Sequence, residues 1–147
     1  MCYDSAARPP LPPISGGAGT EEGREVILDA GDENRFAAFS VLAAERGGPG
    51  IVILPDVRGL HEFYRQLAAR FAETGIHATA IDYFGRTARI GQGDARGDDF
   101  EYMPHVQQTQ PGTIAQDVAA AVAHLRSPEG GEASRVYTVG FCFGGRN

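Results

Sequence analysis

Between residues 24 and 147 the spacing of apolar and polar positions changes several times, and each change predicts an element. "REVILDA" and "RFAAFSVLAA", separated by Gly31-Asp32-Glu33-Asn34, read as two antiparallel strands joined by a turn. Ile51-Val52-Ile53-Leu54 is an unbroken apolar run between Gly50 and Pro55, the pattern of a strand buried on both faces. "HEFYRQLAARFAETG" carries Phe63, Leu67 and Phe71 four residues apart, with Tyr64 and Ala68 beside them and Gly75 at the C-cap position, which predicts an amphipathic helix. "IHATAIDYF" reads as another strand, and residues 85 to 112, rich in Gly and charge, as a long excursion. "TIAQDVAAAVAHLR" places Ile114, Val118, Val122 and Leu125 on one helical face, with Thr113-x-x-Gln116 as a capping box. "RVYTVGF" is a further buried strand. Residues 1–23, rich in Pro and Gly, read as an extended leader, and residues 24–147 as the domain proper.

From Gly50 onward the order is strand, helix, strand, loop, helix, strand. This predicts the α/β class: a mostly parallel sheet with flanking helices, joined by right-handed crossovers and preceded by an antiparallel strand pair. Chemistry in such sheets collects at the carboxyl ends of the strands. Three places then matter: Pro55-Asp56-Val57-Arg58-Gly59, Asp82-Tyr83-Phe84-Gly85-Arg86, and the turn around Cys142.

Composition narrows the partners. A net charge of -6 with 13 Lys and Arg and no basic block leaves no electrostatic footprint for nucleic acid or an anionic membrane surface. No stretch reaches the roughly 20 apolar residues of a membrane span. A small-molecule partner is expected. Cys2 and Cys142 form no disulfide framework, and no CxxC or His-rich cluster points to a metal, so a reducing, cytoplasmic location is the simplest reading.

"VYTVGFCFGGRN" fits a nucleophile elbow. A strand that turns sharply into a helix holds its tip residue in a strained conformation, and the residues two before and two after crowd each other unless they are small. Gly140 and Gly144 occupy those positions around Cys142. A thiol at the amino end of a following helix favours the thiolate, and the Phe143 amide would supply one oxyanion donor. The alternative is a buried structural cysteine at a glycine-rich strand end.

"PDVRGLHEFYRQLAARFAETG", "AIDYFGR" and above all "VGFCFGG" resemble the dienelactone hydrolase family, a branch of the α/β-hydrolases with Cys in place of the usual elbow Ser. The resemblance covers about residues 24 to 147 and implies hydrolysis of small lactones or carboxylic esters by a Cys-His-Asp triad, without a cofactor. Carried over by residue, Cys142 matches the nucleophile, and the backbone amides of Val57 and Phe143 match the oxyanion hole. Asp56 stands where the family usually has a Glu that meets the resting thiol, and its side chain is one methylene shorter. The alternative for Asp56 is a helix cap or an acceptor of backbone amides. Arg58 and Arg86, at strand ends, could take a substrate carboxylate in forked geometry or remain solvated loop charges. Tyr83, Tyr102 and His105 could line a pocket or simply pack.

The triad order nucleophile, acid, histidine places both partners of Cys142 beyond Asn147, so the chain reads as the N-terminal portion of such a domain, with no turnover of its own. His61 opens a helix near Asp56, His77 lies in a strand, His105 in the excursion and His124 late in a helix, and none fits the general base. The last strand would leave a sheet edge free for self-association. Two other function classes stay open: a thiol-based redox or electrophile sensor, and a noncatalytic module whose glycine turn cradles an anion.

Overall fold

A computed structural model describes residues 6–10, 22–90, 96–97 and 99–146, so most of the expected leader lies outside the described residues. Strand β1 (Arg24–Asp29) pairs antiparallel with β2 (Arg35–Val41) in the register Arg24↔Ser40 to Asp29↔Arg35, as the apolar alternation predicts. The turn between them closes through Ala30 N–H on the Asn34 carbonyl at 2.8 Å. Strands β3 (Pro49–Leu54), β4 (His77–Ile81) and β5 (Arg135–Gly140) follow, and the sheet order is β1-β2-β4-β3-β5. β3 runs parallel to both β4 and β5, while β2 joins β4 antiparallel.

Helices cover the two faces. α1 (Glu62–Glu73) packs on the face that presents Ile51, Ile53, Ala78 and Ala80. α4 (Pro111–Arg126) packs on the opposite face, over Val52, Leu54 and Ile81. β3 and β4 thus bury alternate residues under different helices, which is why β3 is apolar without a polar phase, while β4 is buried throughout with His77 and Thr79 on the α4 face. α1 ends where the pattern says it should: Thr74 caps it and Gly75 takes φ 88°, a left-handed conformation that costs a glycine little.

Three local expectations change. The excursion contains two short helices, α2 (Gly85–Ala88) and α3 (Met103–Gln108). α4 starts two residues before Thr113, because Pro111 presets the first helical φ. Thr113 therefore lies inside the first turn, its hydroxyl donating to the Gln110 carbonyl at 2.8 Å, and there is no capping box. β5 is not a buried strand: it is the outermost strand among the described residues, and Tyr137 on it is 55% exposed.

Candidate active site

The parallel register of β3 and β5 decides what meets at the carboxyl end of the sheet. Their last Cα pair is Leu54↔Gly140. Asp56 and Cys142 each lie two residues beyond it, so they leave neighbouring strands, about 4.8 Å apart, at the same level. Cys142 is exposed and adopts φ 51°, a left-handed conformation that costs a non-glycine residue about 1–3 kcal/mol. The surrounding glycines permit it. A Cβ on Gly140 would fall under 3.0 Å from the Gly144 carbonyl, and one on Gly144 under 3.0 Å from the Leu54 and Pro55 carbonyl oxygens. Phe141 N–H donates to the Leu54 carbonyl at 3.1 Å, and successive turns follow, Gly145 N–H reaching the Cys142 carbonyl at 3.2 Å. Residues 143–146 form turns where a helix was expected.

Two tyrosines flank this bend. Phe141 packs on Tyr64 of α1 and Phe143 on Tyr83, which follows β4, with ring centroids 5.5 Å apart in each pair. Both phenols then reach the segment after β3. Tyr64 Oη accepts from Asp56 N–H at 3.1 Å, and Tyr83 Oη shares its hydrogen between the Pro55 carbonyl at 2.6 Å and the Asp56 carbonyl at 2.7 Å. Burial, and then the charge of Asp56, pushes both phenols far above their ordinary range, and a charge at Cys142 is among the further causes for Tyr83. Both hydroxyls stay protonated at any physiological pH.

The Asp56 side chain is buried, yet it neither caps α1, whose N-cap is His61, nor stands unpaired. Its Oδ1 accepts from Arg58 N–H at 2.9 Å, and its two oxygens take the Arg58 guanidinium, Nη2 to Oδ2 at 2.9 Å. Val57 is half-buried, and among the described residues its N–H meets no acceptor. The structure brings Cys142, Asp56, Arg58, Val57 and Phe143 to one end of the sheet.

Arg86 is drawn elsewhere. Its guanidinium meets Asp117 Oδ1 at 2.7 Å and Oδ2 at 3.0 Å, Asp32 Oδ2 at 2.6 Å, and the Thr113 carbonyl at 2.9 Å. These contacts tie α2 to α4 and to the β1–β2 turn. Of the other pocket candidates, His105 stacks on Phe100 at 5.2 Å, which packs on Phe84 at 5.6 Å, and Tyr102 lies against the α4-side core. His77 starts β4, at the far end of the sheet from Cys142, and accepts from Ala43 N–H at 3.1 Å. His124 meets Ser40 at 3.1 Å on the α4 face, and burial lowers its pKa. His61 accepts from Phe63 N–H at 3.2 Å.

Sequence reasoning missed two features. Tyr64 reads as a packing residue beside the apolar face of its helix and Tyr83 as one that lines a pocket or packs, and neither reading gives the hydroxyl its backbone partner. Asp82, just after β4, pairs with Arg96 at 2.8 Å while its buried Oδ1 has no hydrogen-bond partner among the described residues. Burial pushes that carboxyl up against the pull of Arg96. Among the described residues no group of three His, Cys, Asp or Glu is placed to hold a metal ion, and no helix is long and apolar enough to cross a membrane.

The model of the dienelactone hydrolase family matches residues 36–147. A carboxymethylenebutenolidase of Rhodococcus opacus is 27% identical, over 99% of this chain and 51% of its own. The solved structure of m3DLH superposes with a TM-score of 0.59 at 27% identity, covering 84% of this chain and 50% of that one. A dienelactone hydrolase-like promiscuous phosphotriesterase from metagenomic libraries gives 0.62 at 25% identity, over 87% and 51%. The five-stranded mixed sheet with its helices is part of an α/β-hydrolase fold, and the chain spans about half the length of these relatives.

Proposed function

The chain belongs to the dienelactone hydrolase family, and from that premise we propose that it hydrolyses small lactones or carboxylic esters with Cys142 as nucleophile. The thiolate sulfur adds to the substrate carbonyl carbon, and the carbonyl electron pair moves onto oxygen. That oxyanion lies between the amides of Val57 and Phe143. It collapses to a thioester with loss of the alkoxide, which takes up a proton. Water then attacks the thioester, releasing the carboxylic acid and restoring the thiol. The observation that carries this reading is the left-handed φ of 51° at an exposed cysteine between glycines, beside an amide with no acceptor among the described residues.

Asp56 takes the place of the acid beside the resting thiol, and Arg58, bound to it, is the cation this reading offers to an acidic substrate. Arg86 is spent on Asp117 and Asp32, so this reading gives it no substrate contact. Among the described residues His77 bonds to Ala43, His105 to Thr87 and His124 to Ser40, so this reading gives none of them the role of general base, and acylation is expected to be followed by slow release of product. A free thiol nucleophile suits a reducing, cytoplasmic setting.

The test is intact-mass analysis after exposure to p-nitrophenyl acetate. One acetyl group on Cys142, absent in Cys142→Ala, is the expected result. Acetylation that persists in Cys142→Ala overturns the assignment. Peroxide oxidation of Cys142 far faster than of free cysteine, with no acetylation, would favour the thiol-sensor reading instead.

A further inference from the structure

We infer that Tyr83 is the positioning residue that sets the gap between the two oxyanion donors, holding one through its hydroxyl and the other through its ring. The inference rests on the reading of Cys142 as an acyl-accepting nucleophile.

The Asp56 carbonyl and the Val57 N–H belong to one peptide unit. In a planar trans peptide these two groups point in opposite directions, so whatever holds the carbonyl aims the amide. Tyr83 Oη holds that carbonyl at 2.7 Å, and Gly59 N–H, closing a turn in which Gly59 takes φ 68°, holds it at 3.0 Å. The Val57 N–H is thereby turned away from Tyr83 and left without an acceptor among the described residues. The second donor belongs to Phe143, whose ring lies 5.5 Å from the Tyr83 ring and 6.1 Å from Phe84. One side chain therefore touches both halves of the site, from a strand end that contributes no reacting atom. Tyr83 is itself anchored: it is 1% exposed, and its ring stands edge-on to Phe84 at 4.8 Å.

Tyr64 does a related but lesser task. It accepts from the N–H of Asp56, which belongs to the preceding peptide, and its ring backs Phe141. Its removal disturbs the Val57 amide only indirectly.

Two reagents separate positioning from mere folding. Acylation of Cys142 by p-nitrophenyl acetate passes through an oxyanion, whereas alkylation by iodoacetamide displaces iodide at carbon and forms none. The ratio of the two rate constants in the purified protein reports the oxyanion hole alone. Tyr83→Phe is expected to lower that ratio about tenfold, less than the roughly 10²–10³ lost with a whole donor, because Gly59 N–H still holds the carbonyl. Its alkylation rate stays that of the parent. Tyr64→Phe is expected to lower the ratio by less, and should Tyr83→Phe not fold, Phe143→Leu, which removes the ring that Tyr83 packs on, carries the test with a comparable fall. An unchanged ratio in the variants that fold, with acylation still on Cys142, overturns the role of Tyr83 and leaves the hydrolase reading standing. Acylation that does not depend on Cys142 overturns both.

Discussion

Arg86→Met is the perturbation that best separates a structural from a substrate-facing arginine. The guanidinium spans a carboxylate with no exposure, Asp117, and one that is 35% exposed, Asp32. The exposed half is screened and contributes little. The buried half decides the magnitude: without Arg86, Asp117 keeps, among the described residues, only the Asn34 amide at 3.0 Å, and stranding one partner of a buried pair costs about 3–5 kcal/mol. For a chain of this size that lowers the melting midpoint by roughly 10 °C. Burial already pushes the Asp117 carboxyl up, with Arg86 the main counterforce, so the variant's carboxyl rises further. The penalty is then largest near neutral pH and shrinks as pH falls, because a protonated Asp117 no longer needs the cation. Urea unfolding of the parent, Arg86→Met and Arg86→Met/Asp117→Leu, at several pH values, reads all of this. The double variant should recover most of the loss, since an apolar pair can replace a buried ion pair at little cost. A stability loss under about 1 kcal/mol in Arg86→Met would refute the argument.

Other outcomes follow from the same structure. Gly144→Ala drives a methyl into two backbone carbonyls, so its destabilisation should reach or exceed the roughly 3 kcal/mol upper end of overpacking costs, seen in denaturant unfolding; a loss below 1 kcal/mol would mean that the bend is looser than drawn. Asp82 has a carboxyl pKa raised above its ordinary 3.8, so the folded state holds its proton longer than the unfolded one, and stability from this group falls as pH rises from 3.8 through the folded value. The free-energy gap between parent and Asp82→Asn should therefore move against the parent over that window, and a flat gap would contradict the burial argument. Tyr137→Lys should weaken concentration-dependent self-association in sedimentation velocity, because Tyr137 lies half-exposed on the outermost described strand; equal association in both proteins would place the contact elsewhere.

How much could be read from the sequence differs between backbone and side chains. Periodicity located all five strands, α1 and α4, because burial on one or both faces writes itself into spacing. It misplaced the start of α4, where a Thr-x-x-Gln pattern competed with the fixed φ of Pro111 and lost. It also rotated the buried stripe of that helix. The fully buried positions are Ile114, Asp117, Ala121 and Leu125, with Val118 and Val122 half-buried at the flank. A buried aspartate disappears from any apolar pattern, and only its partner Arg86, 31 residues away, explains it. The Cys142 bend was legible for the opposite reason: its requirement for missing Cβ atoms is a backbone demand that glycine spacing records directly. The Asp56–Arg58 pairing and the tyrosine hydroxyls were not, since an i, i+2 ion pair and a phenol on an apolar face leave no periodic trace.

The strain at Cys142 must be held by something, and the contacts show what holds it. The 1–3 kcal/mol of a left-handed cysteine is opposed by the Phe141 N–H bond to Leu54, by the close seat of Gly144 on the Leu54 and Pro55 carbonyls, and by the Phe141–Tyr64 and Phe143–Tyr83 ring pairs. Every one of these partners lies between residues 54 and 83, on β3, α1 or the end of β4. The proposed nucleophile and the proposed oxyanion donors are thus fixed by one rigid set of contacts, without a histidine among them. Acylation and turnover should accordingly be separable properties in this protein: the first needs only the described strand ends and their two tyrosines, the second a base that those contacts do not include.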